Sequence, residues 1–332
     1  MIEEKLEIVI PTYNRAEYLD NTLSQLLNSP FKNCKITIRD NASPDNTPEI
    51  CEKYEKLFPN INIIKNRLNI GGNANVIRCY EQSTTEYTWV IADNDSYDFK
   101  NCDDFIEAIE SEKYDMILCC SPGFPNEDGD SLNDILKNNN AKNNYLENNS
   151  HELVEILKKY YFLSMAFIST TIFRTELLTT DCFLVGYDYI SNSYPHYAFI
   201  VKSLEENFMT YKTKTDMIHM EKNPDDWEIE KFNWVIRWID SGLLVKDKKF
   251  QNYAIQFFEG SPLKIATGML IVAKANNENN LKQEIMRLFS TFLQLKGWFK
   301  GSLYNIVILL TYLIPKKICK VIYSKHESKK LD

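Results

Sequence analysis

Along the first 120 residues, short apolar runs alternate with stretches that repeat at helical spacing. Leu6 to Ile10 is a short, mostly apolar run ending at Pro11, the pattern of a buried strand of a parallel sheet. From Glu17 to Leu27 the period becomes helical, with Leu19, Leu23, Leu26 and Leu27 on one side. Lys35 to Arg39 reads as a second strand and Asp40 to Thr47 as a polar loop, after which Pro48 opens a helix through Leu57. Ile61 to Lys65 follows as a strand, Asn69 to Asn73 as a Gly-containing turn, and Ala74 to Ser83 as a helix. Tyr87 to Ala92 is a fourth strand that runs into Asp93-Asn94-Asp95, and a helix from about Cys102 to Ser111 leads to a strand at Met116 to Cys120.

This order predicts an α/β protein with a mainly parallel central sheet and helices on both faces. Ligands in such sheets bind at the carboxyl ends of the strands, so the polar clusters after Ile10, Arg39 and Ala92 fall on one rim. Later the pattern is looser. Gly123 to Ser150 is rich in Asn and Asp and reads as a loop or mobile insertion. Ser150 caps a helix carrying Leu153, Ile156 and Leu157, Ala166 to Phe173 reads as a strand, and Tyr194 to Glu205 as a helix. From about residue 245 onward the chain is helical in pattern, a C-terminal appendage.

Composition narrows the class. Of 332 residues, 44% are hydrophobic and 25% charged, which suits a folded globular chain and excludes wholesale disorder. The net charge of -8 argues against duplex nucleic acid as a partner. Eight cysteines form no C-x-x-C pair, so they read as reduced, buried thiols of a cytosolic protein. The acidic start runs directly into a strand and shows no secretion signal.

The charge is unevenly spread. Eight lysines against Glu327 and Asp332 give residues 296–332 a charge of +6, which leaves -14 for residues 1–295. The apolar stretch Leu303 to Ile314 is shorter than the roughly 20 residues that cross a bilayer. With Trp298, Phe299, Tyr304, Tyr312 and Tyr323 around it and Lys316, Lys317, Lys320 and Lys325 after it, the segment reads as an interfacial anchor. A docked C-terminal helix with a solvated basic tail is the other reading.

Three polar constellations carry candidate chemistry. Pro11-Thr12-Tyr13-Asn14-Arg15 joins a strand end to a helix start, where backbone N–H groups and the helix dipole can hold a phosphate. Tyr13 could stack on a base and Arg15 pair with an anion; an ordinary turn has the same composition. In Asp40-Asn41-Ala42-Ser43-Pro44-Asp45, a strand-end carboxylate could accept a pyrimidine N3–H or a ribose hydroxyl. An Asx-turn explains Asp45 well and Asp40 less well. Asp93 and Asp95, two carboxylates at the end of a buried strand, repel unless a cation or donor-rich ligand offsets them. Oxygen ligands so spaced suit Mg²⁺ or Mn²⁺ shared with substrate phosphates.

Together with Asn69-Ile70-Gly71 before a helix, these motifs resemble those of family 2 glycosyltransferases of the GT-A nucleotide-sugar fold, as found in bacterial surface-glycan synthesis. The resemblance is close over residues 5 to 120 and loose over 160 to 220. It implies a GT-A domain over residues 1–245, with a nucleotide-sugar half (1–120) and an acceptor half (121–245), followed by the helical region 246–332. It implies a metal-dependent, inverting transfer from a nucleotide-diphosphate sugar to a hydroxyl of a glycan or lipid-linked oligosaccharide. UDP-sugar is the favoured donor and dTDP-sugar the next, with Mn²⁺ or Mg²⁺ as cofactor, at the cytoplasmic face of the cell membrane.

Carried over residue by residue, Pro11, Thr12, Tyr13 and Arg15 would line the base and diphosphate pocket and Asp40 would read the pyrimidine. Asn75 or Arg78 would face the nucleotide, with Asn94 beside it; Asp93 would bind ribose or metal, and Asp95 the metal. The family's acidic pair, which supplies the base, is missing. His196 stands where the acid is expected, and a neutral imidazole is a competent base; Asp188, eight residues earlier in a loop, is the alternative. Tyr194 and Trp227 are candidate acceptor contacts, and His219 a candidate late metal ligand or a core residue.

A nicotinamide dehydrogenase is excluded because no G-x-G-x-x-G follows the first strand. A sugar nucleotidyltransferase would need a Gly-rich basic loop there, also absent. The missing acidic pair leaves a non-catalytic nucleotide-sugar-binding scaffold of a polysaccharide assembly complex as the alternative function.

Overall fold

A central strand, β1 (Leu6–Thr12), lies between β2 (Lys35–Asp40) and β4 (Tyr87–Val90), both parallel to it, and β3 (Ile61–Lys65) extends the sheet beyond β2. The computed structural model describes residues 1–100, 102–120, 147–191, 194–219, 231–256, 261–278 and 280–328. The expected insertion after Gly123 therefore falls mostly outside the described residues. Beyond β4 come β8 (Thr171–Arg174), β6 (Met116–Cys120), β9 (Met209–Asp216) and β7 (Glu147–Asn149), in that order. A separate two-stranded ribbon joins β5 (Ser96–Tyr97) to β10 (Ile218–His219).

The expectation of a mainly parallel sheet describes β3, β2, β1 and β4, whereas the far side is mixed. β8 runs antiparallel to both β4 and β6, and β7 antiparallel to β9. An apolar run reports that a strand is buried, not which way it points. The strand expected over Ala166 to Phe173 is also shorter, because Ile168–Thr170 forms a 3₁₀ turn first. There the Thr170 hydroxyl donates to the carbonyl of Phe167 (2.8 Å), a local bond that competes with the ladder.

Contacts divide the chain into two compact units, residues 1–191 with 195–221, and 192–194 with 222–332. The first unit is built on an aromatic core under the sheet's rim. Trp89 meets Phe31 edge-on at 5.7 Å, and Phe31 meets Phe105 at 5.5 Å. Trp89 spends its indole N–H on the carbonyl of Ser169 (2.7 Å), so core and rim are tied by one hydrogen bond.

The second unit is helical, and the helix Lys231–Ser241 contributes Phe232 and Ile236 to its core. The helices Pro262–Asn276 and Leu281–Leu313 supply Leu270, Leu288 and Phe292 to that core. Asp240 is bound by Arg287 and by the Thr291 hydroxyl, and burial pushes its carboxyl up to about 6. Cys34, Cys51, Cys79, Cys102, Cys119, Cys182 and Cys319 are buried and form no disulfide. Among the described residues, no helix is long and apolar enough to cross a membrane.

Candidate active site

Three loops at the carboxyl ends of β1, β2 and β4 interlock. The Asn41 N–H donates to the Thr12 carbonyl (2.9 Å) and the Asn14 N–H to the Ser43 hydroxyl (2.9 Å). Asn14 and Ala42 both take left-handed backbone angles (φ 55° and 64°), which turn the chain sharply at the rim. The helix Ala16–Leu27 then starts with its Ala16 N–H on Asp45 Oδ2 at 3.0 Å, while Asp45 Oδ1 accepts from the Thr47 hydroxyl (2.6 Å). A helix start expected to hold phosphate is thus already capped by a carboxylate. Burial works against that charge, yet bonds from Thr47 and Ala16 hold Asp45 below the usual carboxylate range.

Asp93 is the centre of the site. It is buried, its Oδ1 accepts from Arg15 Nη1 at 3.1 Å, and its backbone carbonyl accepts from the Thr22 hydroxyl at 3.0 Å. Its Oδ2 and the Thr12 hydroxyl are both buried, and the Thr12 hydroxyl lies close enough to favour the Asp93 charge. Burial raises the Asp93 pKa, opposed by the charge of Arg15. A carboxylate buried inside a protein is costly, and Arg15 offsets part of that cost.

Two residues on, Asp95 is buried and its Oδ2 accepts from the Ser169 hydroxyl at 2.7 Å. The same oxygen of Ser169 accepts the Ala92 N–H at 2.9 Å, so one serine sets the loop on both sides of Asp93. Tyr97 closes the ring: its hydroxyl donates to the Ala92 carbonyl at 2.7 Å, and burial together with the Asp95 charge raises its pKa well above the ordinary value. Nothing in the linear pattern pointed to Ser169, since the segment reads as a plain strand. His219 is exposed and pairs in register with Ser96, next in sequence to Asp95. Among the described residues, no group of three or more His, Cys, Asp or Glu side chains comes together to hold a metal.

The remaining expectations divide. Pro11 is half-buried in β1 opposite Arg39, Tyr13 is 40% exposed, and Asn94 sits in the turn between the two aspartates. Asp40 is buried; Oδ1 takes the Ser43 N–H at 2.8 Å and Oδ2 lies 3.7 Å from Lys65 Nζ, so it organises its own loop. Arg78 is half-buried beside Tyr187, whose phenol is pushed up to about 12 by burial and by Glu81.

Asn75, expected with Arg78 to face the nucleotide, has its side-chain amide bonded to the protein itself. It is buried, accepting from Asn66 Nδ2 and donating to the Arg39 carbonyl, each at 2.9 Å. Asn66 and Asn69 also bond to Asn41, so four asparagines clamp the Asn69-Ile70-Gly71 turn onto β2. Gly71 there has φ 87°, which a side chain would strain.

His196 is corrected as well. It is 5% exposed and precedes the helix Tyr197–Glu205, with Nε2 3.1 Å from the Met165 carbonyl. A carbonyl only accepts, so Nε2 carries the proton and donates inward. Burial lowers the ring's pKa to about 4. It is a neutral, buried histidine whose Nε2 is spent on the backbone. Asp188, expected in a loop, is the exposed last residue of the helix Thr180–Asp188. Tyr194 is buried in the second unit, edge-on to Trp238 at 5.4 Å, a core contact rather than an open stacking face. Trp227 lies outside the described residues.

Comparison with known proteins agrees with this architecture. The family model described as glycosyl transferase family 2 matches residues 7–176. The abequosyltransferase RfbV of Salmonella typhimurium is 26% identical over 213 residues, covering 60% of this chain and 60% of RfbV. A protein of Campylobacter jejuni, named GalNAc(5)-diNAcBac-PP-undecaprenol beta-1,3-glucosyltransferase, is 27% identical over 27% of this chain and 30% of its own length. The match to RfbV thus spans less than two thirds of that protein. Among solved structures, S. aureus TarS 1-349 in complex with UDP aligns with a TM-score of 0.57 at 14% identity, covering 97% of this chain and 92% of that one. The mannosyltransferase PcManGT from Pyrobaculum calidifontis, solved with GDP-Man and Mn²⁺, aligns with a TM-score of 0.54 at 13% identity, covering 93% and 87%. At such identities the shared property is the fold.

Proposed function

The chain belongs to glycosyl transferase family 2, and from that premise we propose that it moves a sugar from a nucleotide-diphosphate donor to a hydroxyl of a surface glycan or lipid-linked oligosaccharide. The observation that carries this reading is the pair of buried carboxylates on the sheet's ligand-binding rim, Asp93 held by Arg15 and Asp95 by Ser169. Asp93 and Asp95 would hold a Mn²⁺ or Mg²⁺ ion together with the donor phosphates, oxygen ligands of the kind such ions take. When bound, the metal would stabilise charge on the departing diphosphate.

The chain's own groups have distinct tasks in this reading. Tyr13 offers an exposed ring for the base, and Arg15 adds positive charge where the diphosphate would lie. Ser169 and Thr22 keep the Asp93–Asp95 loop from adjusting, so little reorganisation accompanies binding. With His196 turned inward, Asp188 is the remaining candidate to accept the acceptor's proton, in keeping with an inverting displacement. UDP is the favoured nucleotide, supported by TarS, which was solved with UDP. The relative named for an undecaprenol-linked substrate supports a lipid-linked acceptor.

Titration calorimetry of UDP, dTDP, GDP and CDP with Mn²⁺ tests the donor site. Wild type should bind one of them in a metal-dependent way and hydrolyse the matching nucleotide sugar, and Asp95→Ala should lose both. No binding of any nucleotide would refute the reading. The sealed His196 favours a second reading, a nucleotide-sugar-binding scaffold. Binding without hydrolysis or transfer would be its signature.

A further inference from the structure

The helix Leu281–Leu313 is a hairpin in disguise. At Gly297 the backbone leaves the helical region (φ 75°, ψ 167°), a conformation open to glycine and strained for other residues. The second arm then folds back on the first. A Cβ at Gly301 would lie 2.6 Å from the Phe292 carbonyl, so the two arms touch backbone to backbone. Asn305 Nδ2 donates to the Phe289 carbonyl at 3.1 Å, and Phe292 meets Tyr304 at 5.1 Å. Lys274 holds the far end by donating to the carbonyls of Tyr312 and Ile314.

This hairpin turns its apolar residues outward. Trp298 and Phe299, at its tip, are 80% and 75% exposed. Along the second arm Leu303, Ile306, Leu310 and Leu313 recur at spacings of three and four, so they share one exposed helical face. The helix Lys316–Ser328 continues the theme, exposing Ile318, Val321 and Ile322 while burying Cys319. An apolar face this continuous is unusual on a soluble surface and marks an interaction site.

Charge identifies the occupant. From Lys296 to Lys325 there are six lysines and no Asp or Glu. Lys316, Lys317 and Lys320 are exposed on the same helix as Ile318, Val321 and Ile322. Exposed aromatics at a tip, an aliphatic face and the exposed Lys316, Lys317 and Lys320 beside it match a bilayer whose headgroups are anionic. We propose that the hairpin tip and the outer faces of the arm Trp298–Leu313 and the helix Lys316–Ser328 dock in the plane of an anionic lipid surface. The contact is monotopic: apolar side chains enter the acyl boundary and the lysines stay at headgroup level. It stands independently of the sugar-transfer reading, and failure of either leaves the other intact.

Co-sedimentation of the full chain with phosphatidylcholine vesicles, with and without phosphatidylglycerol, is the test. Binding should need the anionic lipid and weaken as salt shortens the Debye length. Trp298→Ser combined with Phe299→Ser should reduce binding at least about tenfold at unchanged Tm, since both side chains lie on the surface. Lys316→Gln and Lys320→Gln should each weaken it about fivefold. Equal binding to neutral and anionic vesicles would overturn the assignment. So would no binding to either, together with a dimer that Trp298→Ser converts to monomer, because the face would then join two copies of the chain.

Discussion

Asp45 reaches across from the loop after β2 to accept the Ala16 N–H at 3.0 Å, so the first long helix of the fold is capped by a residue 29 positions away. The bond joins the β1 and β2 loops and occupies the first N–H of that helix. Asp45→Ala should lower stability by about 1–2 kcal/mol in urea unfolding, as loss of a charged cap does. The pH dependence has a defined sign. Asp45 is held below its ordinary pKa in the fold, so its contribution is present above about pH 4 and is lost as pH falls through the lower folded value. Asp45→Ala should flatten this part of the acid limb.

Asp93 has the opposite sign. Burial raises its pKa, so ionising it penalises the fold as pH rises above the unfolded value of about 3.9. Asp93→Asn keeps an acceptor for Arg15 and removes the charge. It should leave Tm unchanged or raised at pH 7 and abolish metal-dependent nucleotide binding, read by thermal shift with and without Mn²⁺. A drop in Tm without Mn²⁺ would show that the carboxylate is structural.

His196 should appear in stability rather than in transfer. Its folded pKa of about 4 lies below the ordinary 6.5, so the unfolded chain binds the extra proton first. Stability should therefore fall as pH drops from about 6.5 towards 4, by up to about 3 kcal/mol. Urea unfolding at several pH values should show this slope in wild type and lose it in His196→Gln. A pH slope that survives the substitution would assign it elsewhere.

Ser169 is the residue whose loss separates positioning from ligation. Ser169→Ala removes the donor to Asp95 and the acceptor of the Ala92 N–H while leaving both aspartates in the chain. Mn²⁺ affinity should fall about 10- to 100-fold, the usual effect of losing a group that orients a ligand. Ser169→Thr, which keeps the hydroxyl, should recover most of it.

Asp188→Asn tests the base. The side chain is exposed at a helix end, so the fold should tolerate the change. Donor binding should persist while transfer to acceptor falls by about 100-fold or more. Transfer at the wild-type rate would remove Asp188 from the mechanism.

The elements that position the site were legible early. Apolar runs at Leu6–Ile10 and Tyr87–Ala92 have to be buried strands, and strand-helix alternation sends their polar ends to one rim. Asp93 and Asp95 could be singled out because a charge at the end of a buried strand costs energy unless something offsets it. Asn75 and His196 sit differently from expectation for one shared reason. A polar residue in a motif looks the same in sequence whether it faces a ligand or satisfies a buried backbone group. Asn75 is spent on Asn66 and the Arg39 carbonyl, and His196 on the Met165 carbonyl.

By itself, the sequence determined the α/β alternation, the rim and its aspartates, and the basic apolar character of the last forty residues, because periodicity and charge are local properties. Tertiary structure decided the rest. It chose the direction of β8, sent Asp45 rather than a ligand to the first helix, brought Ser169 under Asp95 from 74 residues away, and turned one long helix into a hairpin at Gly297. Each of these depends on which buried donors and acceptors find one another once the chain has closed. That pairing is a property of the folded whole and leaves no mark on the residues taken in order.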